Sequence, residues 1–484
     1  MTEWSQIYEV DTSIPLVYDS DLIRFIFRFY ILPLRQHFVN IKDVQDNTNR
    51  GIEFTYLDPK SGGHVQIQVI IKKPIDVKVA PSPEISGELL DEIRDDIVIT
   101  VGHFEEQMRR TTLYFAWVEG QEVIPEKTRR RSGRTLDRLF TDSMILLFIT
   151  FMIINFLVIS FLYSYIGPYA ILIIIAFQLV IVLFSDRIIY RQGNWAVTSQ
   201  SPKIHLISYP LSQNEYLNIR QRYQNDDFLQ MKKEIYDNTL ANGRNIDCSS
   251  AATVFNRYGI RCNPEKMTSR VVNIHEIISN AAKKFDLPIP KITVMNVMQP
   301  NAAASGPGPS HGVVLITTGL LVQLDDEEIE SVIGHEFSHL KNHDPLIMFG
   351  LTAIEYIFRV YLFWQFPIFG SLFFLLPYFY LMISMGVVYF LAKFLEARCD
   401  LESAIRIGKP KRLAEALRKM GYMRLQYERV PSVRLQEWIG FDPHPPIYFR
   451  VNRLDNLKAP IKVQNLLLTS IKDCINGLIT AIRG

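Results

Sequence analysis

The sequence predicts a predominantly helical α+β fold with about four transmembrane helices. Three observations carry that prediction. Long apolar runs without charge occupy the middle of the 484 residues. Short segments that alternate apolar and polar residues stand near the start. A helical-period stretch holding His335-Glu336-Phe337-Ser338-His339 follows two strand-like segments, so a motif helix beside a small β-sheet is expected. The formal net charge of +2 gives no bulk electrostatic reason for a nucleic-acid partner. Cys248, Cys262, Cys399 and Cys474 are scattered without a C-x-x-C pair. Neither a disulfide framework nor a cysteine zinc site is expected, and a reducing compartment fits them.

Residues 1–140 read as a soluble α+β domain. Residues 52–57 and 64–71 alternate with period two, and Asp58-Pro59-Lys60-Ser61-Gly62-Gly63 between them has turn chemistry, which predicts a hairpin. Residues 84–109 read as an amphipathic helix and 111–118 as a further strand. The domain carries no chemical motif.

Residues 143–165 hold no charge over 23 positions, and 168–185 follow a Gly167-Pro168 break. Each is about long enough for a hydrocarbon core of roughly 30 Å, so 141–190 reads as a transmembrane hairpin. A polar, mostly helical insert spans 191–265. Two less pure apolar runs, about 346–366 and 367–392, follow the motif and read as two further crossings. Lys127, Arg129, Arg130, Arg131, Arg134 and Arg138 crowd before the first run, and Arg187 and Arg191 follow the second. The connections between crossings are uncharged. Positive-inside bias then puts the N-terminal domain and the motif on the cytoplasmic side of a multi-pass cell membrane protein. The basic cluster fits anionic headgroups of the lipid bilayer better than nucleic acid.

On a helix, His335 and His339 stand one turn apart on one face, where two imidazoles can converge on a metal ion. Glu336 beside them is placed to act on a metal-bound water. Asp325, Asp326, Glu327 and Glu328 suit the helix start, and Pro345 marks its end. A catalytic zinc takes a third protein ligand. Glu355, 16 residues beyond His339, lies in an apolar run with Arg359 one turn later. Glu396, 57 residues beyond, follows the second apolar run and is the preferred ligand. Asp400 shares its helix face and could orient a ligating histidine.

Lys291–Met295 and residues 312–318 read as strands, with a loop of small residues from Asn301 to Gly308 between them. The second strand could offer a free edge to an extended peptide, or be a plain structural hairpin. Farther on, Asp442-Pro443-His444-Pro445-Pro446 precedes Arg450. Either His444 or Arg450 could donate a hydrogen bond to an oxyanion. The last segment, 461–484, is an amphipathic helix, a pattern more typical of a packing element than of a membrane anchor.

Together these pieces resemble the membrane zinc metallopeptidases that include HtpX and the CaaX prenyl endopeptidases. The resemblance rests on Asn301-Ala302, Thr318-Gly319-Leu320-Leu321, His335-Glu336-Phe337-Ser338-His339, Asn342-His343-Asp344, Glu396 with Asp400, and His444-Pro445-Pro446 with Arg450. It covers roughly 140–460, and the HtpX-like branch fits better. It implies a metallopeptidase domain over 266–460 with one Zn²⁺ per chain, held by His335, His339 and Glu396. It makes Glu336 the general base, with His444 and Arg450 on the oxyanion or substrate and Asp400 behind a ligand. Asn301, Ala302, Val313, Val314 and Leu315 stand as substrate-binding residues. The implied work is cleavage of unfolded or membrane proteins in quality control. Processing of prenylated peptides, or a membrane adaptor with a vestigial metal site, are the alternatives. The N-terminal domain, the insert and Lys393 depart from the family pattern.

Overall fold

Local chemistry explains the first unit. In the computed structural model, which describes residues 4–46, 49–125, 157–158, 161–167, 169–365, 375–428, 430–458 and 463–483, the chain opens with a five-stranded antiparallel sheet. Its strands are β1 (Gln6–Val10), β2 (Phe38–Asp46), β3 (Asn49–Leu57), β4 (His64–Ile70) and β5 (Ile75–Pro81), in the order β1-β5-β4-β3-β2. The expected hairpin is β3–β4, with Leu57 opposite His64. Asp58 takes the Lys60 and Ser61 amides, and Gly62 supplies the positive φ that the turn requires. Helix α1 (Asp19–Ile26) and the long helix α2 (Gly87–Arg110, capped by Ser86) cover one sheet face. Val65, Ile67 and Val69, alternate residues of β4, meet Ile93, Ile97 and Phe104 of α2 in one core.

The boundary expected near 140 falls earlier. Strand β6 (Thr112–Val118) leaves the first sheet and pairs with β8 (Lys203–Pro210), which pairs in turn with β9 (Thr268–Asn273). The physical reason is two-sided burial. Ala116 and Val118 enter the central core, while Leu113, Phe115 and Trp117 enter a separate core under the insert. Such a strand carries no polar face, and its sequence does not name its partner. The insert is therefore not only helical. Beside α5 (Gln213–Arg222), α6 (Asn225–Asn238) and α7 (Cys248–Arg257) it holds β7 (Trp195–Val197) and β8. Cys248 and Cys262 are joined as a disulfide, against the expectation from their spacing.

The central sheet runs β11 (Ala302–Ser305), β12 (Val313–Thr317), β10 (Lys291–Met295) and β7. Strands β10 and β12 are parallel, and the two outer strands are antiparallel to them. Helices α8 (Ile274–Phe285), α9 (Thr318–Gln323) and the motif helix α10 (Asp326–Lys341) pack with this sheet in one core. After α10 come α11 (Asp344–Gln365), α12 (Leu375–Ile407), α13 (Pro410–Tyr427), α14 (Pro431–Ile439), α15 (Ile447–Asp455) and α16 (Leu466–Arg483). Helix α2 also leans on α13, where Tyr422 lies against Gly102 and His103. The chain is thus mostly helical, with three sheets among the described residues.

Among the described residues, two helices are long and apolar enough to cross a membrane: Asp344–Leu362 within α11 and Phe379–Ile407 within α12. A bent pair, α3 (Tyr169–Leu183) and α4 (Ser185–Gln192), turns by 53° and makes a third if read as one span. Most of the expected span 143–165, and the basic cluster 127–138, lie outside the described residues. The apolar run expected to end at 392 does not end its helix there; α12 continues without a break to Ile407.

Helices α10 and α12 approach closely at Gly334. A Cβ there would lie 2.6 Å from Ile407 Cγ1 and 2.8 Å from Ser403 Oγ, whose hydroxyl donates to Ser331 O. Gly334→Leu is therefore expected to destabilise by about 1–3 kcal/mol through overpacking. Gly350→Leu on α11, where nothing lies within 4 Å, should leave the thermal transition nearly unchanged. Equal melting temperatures for the two variants would show that the close approach is not required.

Candidate metal centre

The motif helix is built to present two faces. Asp325 caps it, accepting from the Glu328 amide, while Glu328 accepts from the Asp325 amide. Ile329, Ile333, Phe337 and Leu340 recur at helical spacing and sink into the central core, with Phe337 against Phe285. That burial turns His335 and His339 toward α12, where Glu396 and Asp400 repeat at the same i, i+4 spacing.

Three ligand atoms converge there. His335 Nε2 lies 3.3 Å from His339 Nε2 and 3.3 Å from Glu396 Oε2, and His339 Nε2 lies 3.4 Å from Glu396 Oε1. Ligands about 2.0–2.1 Å from a tetrahedral zinc stand roughly 3.3 Å apart, and each of these separations, which between them use both oxygens of Glu396, matches that spacing. Glu396 Oε2 is buried without a hydrogen-bond partner, an arrangement that a bound cation would satisfy. The donor set therefore fits zinc. Glu355 is elsewhere, paired with Arg359 and accepting from Ser384.

Each histidine is backed by a carboxylate. His335 Nδ1 lies 2.9 Å from Asp400 Oδ1, and Arg450 holds Asp400 with Nε at 2.8 Å and Nη2 at 2.7 Å. His339 Nδ1 lies 2.7 Å from Asp344, which takes the guanidinium of Arg398. Such partners fix the tautomer that leaves Nε2 free for a metal. Burial disfavours the Arg450 cation, but the Asp400 carboxylate outweighs it and raises the guanidinium above its ordinary pKa.

Arg450 is expected at an oxyanion or a substrate. It is instead buried, with its forked donors on Asp400. His444 does reach the centre, with Nε2 3.5 Å from Glu396 Oε2 and a side chain 44% exposed. Its Nδ1 is 2.9 Å from Asp442 Oδ1. Burial acts to raise the Asp442 carboxyl, yet the His444 hydrogen bond and the Arg424 charge hold it well below the ordinary carboxylate range.

Glu336, next to His335 on α10, reaches the sheet, where its Oε2 accepts from the Ala304 amide at 2.8 Å. This corrects the expected peptide edge. Strand β12 is interior, flanked by β10 and β11, and Val313, Val314 and Leu315 are buried with no free main-chain edge. The edge is β11, which begins at Ala302 and reads as loop because Ala-Ala-Ala-Ser has little strand propensity; pairing with β12 overrides it. Asn301 stands just before β11, its backbone tied to Thr317.

Sequence reasoning assigns no role to Asp344, Arg398, Asp442 or Lys393. Asp344 is five residues past His339, off the helix face, and meets it only because His343 takes a φ of +57° between α10 and α11. Lys393 Nζ donates to the carbonyls of Asp442 and His444, tying the His444 loop to α12 three residues before Glu396. A carboxylate held beside each ligating imidazole typically contributes 10- to 100-fold in metal affinity. Asp344→Asn and Asp400→Asn are each expected to lower zinc affinity by about that factor in chelator competition. Unchanged affinity would sever these carboxylates from the metal.

Comparison with known proteins finds relatives over the segment that holds this centre. The profile of Peptidase family M48 matches residues 269–458, which hold all three ligands. A Protease HtpX homolog of Thermodesulfovibrio yellowstonii is 31% identical over 214 residues, 38% of this chain and 74% of that protein. A Protease HtpX homolog of Moorella thermoacetica is 31% identical over 184 residues, 35% of this chain and 60% of that protein. The crystal structure of S. mikatae Ste24p aligns over 76% of this chain and 74% of that one, at 13% identity and a TM-score of 0.37, too distant to carry an argument. With a profile match over the metal-binding helices and HtpX relatives covered over most of their length, the chain belongs to peptidase family M48.

Proposed function

We propose that this chain is a membrane-embedded zinc endopeptidase that cuts unfolded or membrane proteins, in the manner of membrane-protein quality control. The observation that carries the reading is the triangle of His335, His339 and Glu396 atoms with Glu336 beside it. A zinc ion held there would polarise the scissile carbonyl and lower the pKa of its water. Glu336 takes the proton of the attacking water and returns it to the leaving amine. The Ala304 amide holds the Glu336 carboxylate at 2.8 Å, on the sheet side of the site. That bond points the Ala304 amide away from β12, so in an antiparallel pair the N–H and C=O groups of Ala302 and Ala304 share the free edge. An extended substrate pairs along this edge and is led past Glu336. His444, exposed and steadied by Asp442 and Lys393, donates to the oxyanion of the attacked carbonyl. Arg450 acts through Asp400, which keeps His335 in place. A complete ligand set with a base beside it speaks against a vestigial site.

The basic flanks support a cytoplasmic face for this machinery, whereas the Cys248–Cys262 disulfide of the structure fits an oxidising one. Cytoplasmic thiols are kept reduced. Recovery of Cys248 bonded to Cys262 from unreduced, alkylated membranes would therefore reverse the assigned sidedness.

The test is cleavage of an unfolded model protein by the detergent-purified chain. Wild type is expected to cleave and to stop on chelation. Glu336→Ala is expected to lose at least about 10²-fold in turnover with zinc content intact, since removing a general base costs about that much. Zinc lost together with activity would make Glu336 a structural residue instead. Lys393→Met is expected to lower kcat/KM with zinc retained and to be partly rescued by Lys393→Arg. Full activity of the Met variant would free the His444 loop from any dependence on Lys393.

A further inference from the structure

Helix α16 has three faces, and among the described residues only one of them is packed. Its inner face is packed. Gly477 sits under Trp438 and Phe449, the Cys474 thiol lies 3.7 Å from Lys393 O, and Arg453 bridges Ala397 O to Ser470 Oγ. These contacts set the direction. Ser470 is level with Ala397 and Cys474 with Lys393, so α16 runs antiparallel to α12, toward its apolar end. One turn farther on, Leu478 joins the cluster that Phe390 and Leu391 enter.

The second face is apolar and bare. Leu468, Ile475, Ile479 and Ile482 recur at steps of seven, four and three, which places them on one stripe. They are exposed by 63%, 41%, 40% and 63%. The third face is polar and holds Lys472, Asn476, Thr480 and Arg483. On α12, Ile383 and Val387 extend the face of Phe390, Leu391 and Phe394, and they too are exposed. By the same antiparallel register, Ile479 and Ile482 stand about level with Val387 and Ile383, on a helix long and apolar enough to cross a membrane.

We propose that the outer stripe of α16 lies in the lipid bilayer, making this helix a membrane-seated buttress of the metal centre. A bilayer that reaches Ile383 and Val387 on α12 therefore also reaches the exposed stripe of α16 beside them. Lys472, about level with the end of the apolar run of α12, suits anionic headgroups. By register, its seating helps set the depth at which Lys393 and Ala397, and so Glu396, are held. The inference rests on the reading of Phe379–Ile407 as a membrane span.

The test uses the full chain in phosphatidylcholine–phosphatidylglycerol vesicles that carry an acyl-chain nitroxide. A polarity-sensitive fluorophore is placed on single cysteines at Ile479→Cys and Ile482→Cys, with Thr480→Cys on the polar face and Ile383→Cys on the span as references. Every variant and the parent carry Cys248→Ser and Cys262→Ser, and the parent, whose Cys399 and Cys474 are buried, gives the background. The stripe positions are expected to lose roughly half their fluorescence to the lipid nitroxide, and Thr480→Cys little. Quenching at Ile383→Cys but not at the stripe would overturn the inference and leave the span intact. No quenching at Ile383→Cys would remove the span, and the inference with it. Shielding of the stripe from both lipid and aqueous quenchers would assign it to a second copy of the chain or another protein.

Discussion

The pairing of α10 with α12 is the constraint on which the rest depends. Two i, i+4 pairs, one of histidines and one of carboxylates, face each other across a helix contact closed at Gly334. Neither helix holds the site alone. Close packing at such a crossing leaves little freedom for the two rows to slide, so ligand spacing follows from side-chain volume in the core. The apolar face of α10 thus works for the polar one: burying Phe337 and Ile333 aims His335 and His339.

Around this crossing the protein places successive layers of charge. Carboxylates stand behind the imidazoles, and guanidinium groups stand behind the carboxylates. Buried ions of this kind are costly unless every lone pair and proton is matched. Here Asp344 and Asp400 each stand between an imidazole and a guanidinium. Forked donors suit Arg450 to this, since two parallel bonds fix the plane of Asp400.

The parts legible in sequence were those set by local periodicity. The motif, its helix and its acidic start follow from spacing, and so do the β3–β4 hairpin and the long α2. Glu396 was legible only through topology, because nothing local separates it from Glu355 except where the chain must return. Three features were not legible for physical reasons. Strand β6 is apolar on both sides and could pair with either sheet. Strand β11 has alanines that prefer no strand and becomes one only against β12. Arg450 is set six residues after His444 as though for a shared task, yet a tertiary contact with Asp400 claims it.

The uninterrupted length of α12 has a mechanical meaning. The apolar run ends at Lys393, three residues before Glu396, a distance of about 5 Å along the axis. A straight helix transmits tilt from one end to the other like a lever. When lipid thickness changes, a spanning helix tilts to match it. The lever's far end is the carboxylate of Glu396, so a change in the tilt of α12 would move that oxygen pair against His335 and His339.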